Sequence, residues 1–167
     1  MSLLNWFKAL ATGKQDAALS AADETDSLVG PGQGANNEDE EGAVIAGLNF
    51  KTAIDAHMKW KVRLEHCIDS DNEESLQVET VSRDDQCVLG KWIHGIGNEQ
   101  FGHLREFQEM KMEHARFHLS AGDVLTCCMA GDKDGASQRL RSGDYTRASE
   151  RVKLQLARLY VKVSAQN

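Results

Sequence analysis

The stretch QFGHLREFQEMKMEHARFHLSAGDVLTCCMA, residues 100–130, decides the fold. Along it Leu104, Phe107, Lys111, His114, His118, Ala121, Leu125 and Cys128 recur at spacings of three and four, with Met110, Phe117 and Val124 beside them. That is the 3.6-residue period of an amphipathic helix, the longest in the chain, and it predicts a helix from about Gln100 to Ala130. Its seam is unusual in carrying two histidines. His114 and His118 are four residues apart, so their imidazoles lie about one turn apart on one face and can chelate a single ion.

Upstream, Phe50, Ile54, His57, Lys61, Leu64 and Ile68 repeat the same spacing, with Ala53, Trp60 and Cys67 widening the stripe, which predicts a helix from about Leu48 to Ile68. The polar run Asp69–Thr80 reads as a loop. After it, Ser82 or Asp84 can cap a shorter helix holding Cys87, Val88, Trp92, Ile93 and Ile96, which Gly95 and Gly97 end. Downstream, Gly131, Asp132, Asp134 and Gly135 break the long helix and leave room for a short helical piece. Asp144 then introduces a last helix with Ala148, Val152, Leu156, Leu159 and Val163 facing inward. No stretch reads as a strand. The expected fold is therefore all-α, an antiparallel four-helix bundle with a disordered N-terminal tail, an architecture that builds metal sites from facing helices.

The chain has 167 residues, 41% hydrophobic and 27% charged, the balance of one domain with room for a tail. Residues 1–46 hold two basic and eight acidic side chains, leaving 17 basic and 18 acidic on the rest, so the net charge of -7 resides mostly in the N-terminal segment. An acidic chain lacks the basic surface a general nucleic-acid binder needs to displace counterions from phosphate. The chain divides into a short apolar segment, 1–12, a disordered acidic linker, 13–46, and the bundle, 47–167. In the first, Leu3, Leu4, Trp6, Phe7 and Leu10 either dock on a partner or membrane interface, or pack back on the domain. No apolar run is long enough to span a bilayer or serve as a signal peptide, and the four cysteines show no framework spacing, which together point to the cytoplasm.

Two further residues extend the histidine pair. His57 sits on the inward stripe of the first helix, where an unpartnered imidazole is costly to bury. Cys87 lies at the start of the second helix, where the helix dipole favours thiolate. Three imidazoles and one thiolate make a closed tetrahedral set that suits zinc better than magnesium or calcium. His66, His94 and His103 share no seam with these four. Cys127–Cys128 reads as a pair of small core residues or a redox pair, and Arg147, Arg151, Arg158 and Lys162 as a basic ridge.

His57 with Trp60 and Leu64, then Cys87-Val88-Leu89-Gly90-Lys91-Trp92, then His114-Ala115-Arg116-Phe117-His118 resemble the chemoreceptor zinc-binding domain, in order over about Asn49 to Val163. The resemblance implies an often dimeric four-helix bundle with zinc on His57, Cys87, His114 and His118. It also implies a cytoplasmic, non-enzymatic sensor joined to a chemoreceptor or a cyclic-di-GMP synthase. Here an acidic tether, rather than a receptor coil or a cyclase, precedes the module. In the motif, Leu89 and Trp92 are expected to pin the short helix, and Gly90 to allow a close backbone approach. Zinc occupancy or oxidation of the Cys87 thiolate would be the signal. Trp60, Trp92, Phe101, Phe107 and Tyr160 exceed what one bundle must bury, which predicts a homodimer. Two other readings stand beside this one. A haemerythrin-like di-iron protein needs inward paired carboxylates, and a histidine phosphotransfer bundle needs an exposed histidine.

Overall fold

The computed structural model describes residues 3–12, 44–70 and 76–165. The expected acidic linker therefore lies outside the described residues up to position 43, as do positions 71–75 of the expected Asp69–Thr80 loop. Among the described residues the chain is all-α apart from one short hairpin.

That hairpin is the strand pair the sequence did not disclose. β1 (Val44–Ile45) pairs antiparallel with β2 (Leu48–Asn49), with Ile45 opposite Leu48. Two-residue strands are too short to show an alternating pattern. Both residues of the turn take positive φ, Ala46 at 49° and Gly47 at 78°, the tight turn whose twist matches a hairpin. Asn49 then caps helix α2 (Phe50–Asp69), its side-chain oxygen accepting the Thr52 N–H at 3.0 Å. The helix thus starts at Phe50, two residues later than its apolar period suggested.

Along α2 the buried face comprises Phe50, Ala53, Ile54, His57, Leu64, Cys67 and Ile68, whereas Lys61, on the expected stripe, is exposed. The expected second helix is α4 (Val88–His94) alone, while α3 (Val78–Val81) forms across the end of the stretch read as loop and α5 (Ile96–Phe101) follows beyond Gly95, where a break was expected. Neither Ser82 nor Asp84 caps α4. Cys87 does, its sulfur accepting the Gly90 N–H at 3.2 Å. Trp92 and Leu89 point inward, as the motif suggested, while Val88 and Ile96 are exposed. The Trp92 indole N–H donates to the Ala46 carbonyl at 3.0 Å, tying α4 to the hairpin turn. Its ring packs against Phe50, Phe101 and Phe107.

The long helix is α6 (Arg105–Met129), and α5 occupies the start expected for it. Asp132 caps α7 (Lys133–Ser142) through the Gly135 N–H at 2.9 Å, and α8 (Asp144–Ser164) closes the chain. His57 of α2 faces His114 and His118 of α6, and further along Cys67 faces Cys128, so α2 and α6 run parallel. Tyr145 at the start of α8 meets Phe117, and Tyr160 near its end meets Phe50, so α8 is antiparallel to both.

Helix α1 (Leu3–Ala11) packs back on the domain, mainly against α8. Phe7 is fully buried and stacks on Tyr160 with ring centroids 3.9 Å apart, and Leu10 is buried beside it. Burying a phenylalanine is worth roughly 1.5–3 kcal/mol, enough to hold a helix too short to persist alone. Between them α1 and the hairpin alter the reading of the aromatics. Trp92, Phe107 and Tyr160, three of the five counted as surplus, are covered within one chain, so the surplus is no ground for a dimer. No helix among the described residues is long and apolar enough to cross a membrane.

Candidate metal centre

Three elements converge on one point inside the bundle. α2 brings His57, the N-cap of α4 brings Cys87, and α6 brings His114 and His118. The four donor atoms, one from each side chain, all lie within 4.8 Å of one another. The structure therefore brings together the four residues singled out in the sequence. It leaves His66, His94 and His103 outside, all three exposed, with His94 turned to Asp84 at 3.0 Å.

Two of the three rings are oriented by a hydrogen bond at the far nitrogen, whereas His114 Nδ1 is buried with no hydrogen-bond partner. His57 Nδ1 lies 2.6 Å from the Ala53 carbonyl, and His118 Nδ1 lies 2.7 Å from the Val81 carbonyl. A carbonyl can only accept, so in each ring Nδ1 carries the proton and Nε2 holds the lone pair. Both Nε2 atoms are buried without a hydrogen-bond partner. An orphaned buried acceptor is expensive, and a metal ion is what would satisfy several at once. His114 Nε2 lies 3.3 Å from Cys87 Sγ. Zinc bonds of about 2.0 Å to nitrogen and about 2.3 Å to sulfur place neighbouring tetrahedral donors roughly 3.5 Å apart. That gap matches, and the widest separation, 4.8 Å, requires a contraction of about 1 Å.

Burial governs the protonation of all four. It lowers His57 from its ordinary 6.5 to about 4, opposed by the hydrogen bond to Ala53 and reinforced by His118. His114 falls to about 2, through burial and then the neighbouring His57, His118 and His94. His118 is lowered by burial against the opposing pull of the Val81 carbonyl, Asp84 and Asp85. The imidazoles are thus neutral at physiological pH, the form that binds metal. Cys87 departs from the sequence reading. Burial pushes its thiol up, and the Gly90 and Leu89 N–H groups at the helix terminus only partly offset this. The helix dipole alone does not make the thiolate; a bound cation would.

Sequence inspection missed the residues that aim the ligands. Ala53 lies one turn before His57, but the Val81 carbonyl comes from α3, within and just beyond a stretch read as loop. α3 can reach α6 because Gly122 leaves room. A Cβ there would lie 3.1 Å from the Ser82 Cβ and 3.4 Å from its Cα. A glycine on the buried seam of a long helix was the one available signal of such a close approach.

An all-α fold around a buried cluster of three imidazoles and one thiol defines a helical metal-binding module. Residues 57–125 match the family model of the chemoreceptor zinc-binding domain, a stretch that includes all four cluster residues. Its cofactor is zinc, and its class a zinc-binding signalling module. Comparison with curated proteins and with solved structures returns no match.

Proposed function

We propose that this protein is a non-enzymatic, cytoplasmic regulator of bacterial signal transduction whose zinc is held by His57, Cys87, His114 and His118. Its partner is a signalling protein of chemotaxis or cyclic-di-GMP control, and it acts as a homodimer. The observation that carries the reading is the pair of orphaned Nε2 atoms on His57 and His118, aimed at the position where Cys87 and His114 meet. The cluster contains no carboxylate, which favours zinc over a di-iron centre. Glu113, the buried acid beside His114, is turned away to Arg116 at 2.8 Å. Burial of the three histidines also leaves them poorly placed to take a phosphoryl group.

Two inputs fit the site. Zinc loading couples to the arrangement of α2, α4 and α6, since the ligands meet only in the folded chain. Oxidation of Cys87 would remove one ligand, and a cleft of about 340 Å³ lined by Trp60, Arg63, Gln86, Cys87 and His118 gives small oxidants a way in. Trp92 is buried, so it transmits the change through the hairpin and Phe107 rather than by offering itself to a partner.

Elemental analysis of the purified chain tests the reading, with one zinc per chain expected. Cys87→Ala, His114→Ala and His118→Ala should each lower zinc affinity by orders of magnitude, and His94→Ala and His103→Ala should leave it unchanged. Normal zinc retention in a His57/His114 double mutant, or iron in place of zinc, overturns it. Sedimentation measures the homodimer directly.

A further inference from the structure

A second sulfur site lies away from the metal centre. Cys67, near the end of α2, and Cys128, near the end of α6, are 61 residues apart in sequence, yet their sulfurs lie 2.7 Å apart. Cys128 Sγ also donates to the Cys67 carbonyl at 2.9 Å. All four cysteines of the chain are reduced. From the sequence, Cys127 and Cys128 read as small core residues or as a redox pair with each other. Successive residues of an α-helix are rotated by about 100°, so Cys127 and Cys128 face different directions. Cys127 instead lines a cleft with Gln138, Arg139 and Arg147.

We propose that Cys67 and Cys128 form a redox-active dithiol that hydroperoxides convert to an intramolecular disulfide. The contact requires the sulfurs to close by only about 0.7 Å to reach a disulfide bond length of about 2.05 Å. Access orders the two steps. Cys128 is half-buried and Cys67 almost wholly buried, so peroxide meets Cys128 first. The Cys128 thiolate attacks a peroxide oxygen, the O–O bond breaks, hydroxide leaves, and Cys128 becomes a sulfenic acid. The Cys67 sulfur then attacks the Cys128 sulfur, the S–S bond forms as the S–O bond breaks, and the oxygen leaves as water with the Cys67 proton. In sum, two thiols and one hydrogen peroxide give one disulfide and two waters, the sulfur pair losing the two electrons that peroxide gains. A cellular dithiol reductant reverses the step by exchange.

The position gives the bond a structural consequence. Cys67 follows His57 by ten residues on α2, and Cys128 follows His118 by ten on α6, about 15 Å along each helix. The disulfide would staple together the two parallel helices that supply all three histidines, without consuming a metal ligand. The inference does not depend on the zinc reading, because neither sulfur belongs to the metal cluster.

The test treats the full-length, metal-loaded chain with hydrogen peroxide, blocks the remaining thiols, and maps disulfides by mass spectrometry of unreduced peptides. A Cys67–Cys128 crosslinked peptide, with a monomeric chain on a non-reducing gel and loss of two titratable thiols, is expected. Cys127→Ser should keep the crosslink, and Cys128→Ser should abolish it. Because Cys67 is packed in the core, Cys67→Ala, which fills most of the same space, is the second variant and should also abolish it. A Cys127–Cys128 bond, a crosslink between chains, or oxidation confined to Cys87 overturns the proposal.

Discussion

Gly90 is the residue through which the fold controls the thiol ligand, and Gly90→Ala is the most informative single change. In the third position of α4, its N–H donates to Cys87 Sγ at 3.2 Å, and its α-carbon lies against the backbone of the loop that leads into the helix. A Cβ there would sit 2.7 Å from the Asp84 carbonyl carbon and 3.0 Å from the Asp85 Cα, with the Asp84 oxygen nearer still. These are backbone atoms, so no rotamer change relieves the clash. The loop and α4 must part, by roughly 1 Å or more to restore ordinary contact. Such overpacking costs about 1–3 kcal/mol. The gain in helix propensity from glycine to alanine, up to about 1 kcal/mol in a helix interior, is smaller and shrinks in the first turn. Cys87 sits between the two displaced segments, so its sulfur leaves the position 3.3 Å from His114 Nε2. Loss of such support around a metal ligand typically costs about 10–100-fold in affinity. Competition with a chromophoric chelator should show that weakening, and urea unfolding of metal-free protein a lower midpoint. Lys91→Ala, at the exposed neighbouring position, should change neither. Wild-type zinc affinity and stability in Gly90→Ala would refute the argument that backbone contact positions Cys87.

The metal-free protein should lose stability as pH falls. His57 takes its proton near 6.5 in the unfolded chain but only near 4 when folded, so the unfolded state binds more protons across that interval. The stability is complete above 6.5 and is lost as pH falls towards 4, by about 3 kcal/mol from this residue, with His114 and His118 shifted in the same direction. Urea midpoints measured on either side of the interval should show the fall, and a flat profile would contradict the burial of these rings. Phe7→Ala should destabilise the chain by about 3 kcal/mol, since it empties the fully buried site stacked on Tyr160. Chemical denaturation measures this, and an unchanged midpoint would mean that α1 does not hold to α8 in solution.

Much of this protein was legible one residue at a time. Periodicity along 50–68 and 100–130 identified the two helices that carry the histidines, because a helix facing a core must repeat every three or four residues wherever it sits. The same stripes placed His57, His114 and His118 among apolar neighbours, and the position of Cys87 at a helix start stood out beside them. Local order also explains Asn49 and Asp132 as caps, since each bond spans three residues. What only tertiary structure decided concerns contacts between segments distant in sequence. Phe7 meets Tyr160, Trp92 meets the Ala46 carbonyl, Val81 meets His118, and Cys67 meets Cys128, none of them marked by any local pattern. The second helix stopped at His94, with α3 and α5 formed on either side of it, for the same reason. Trp92 lies over Gly97 and Gly90 presses on Asp84, so the path of the chain there follows packing rather than propensity. The pull on Cys87 was likewise misjudged from its helix terminus, because desolvation depends on everything that surrounds the sulfur, and that is known only once the chain is folded.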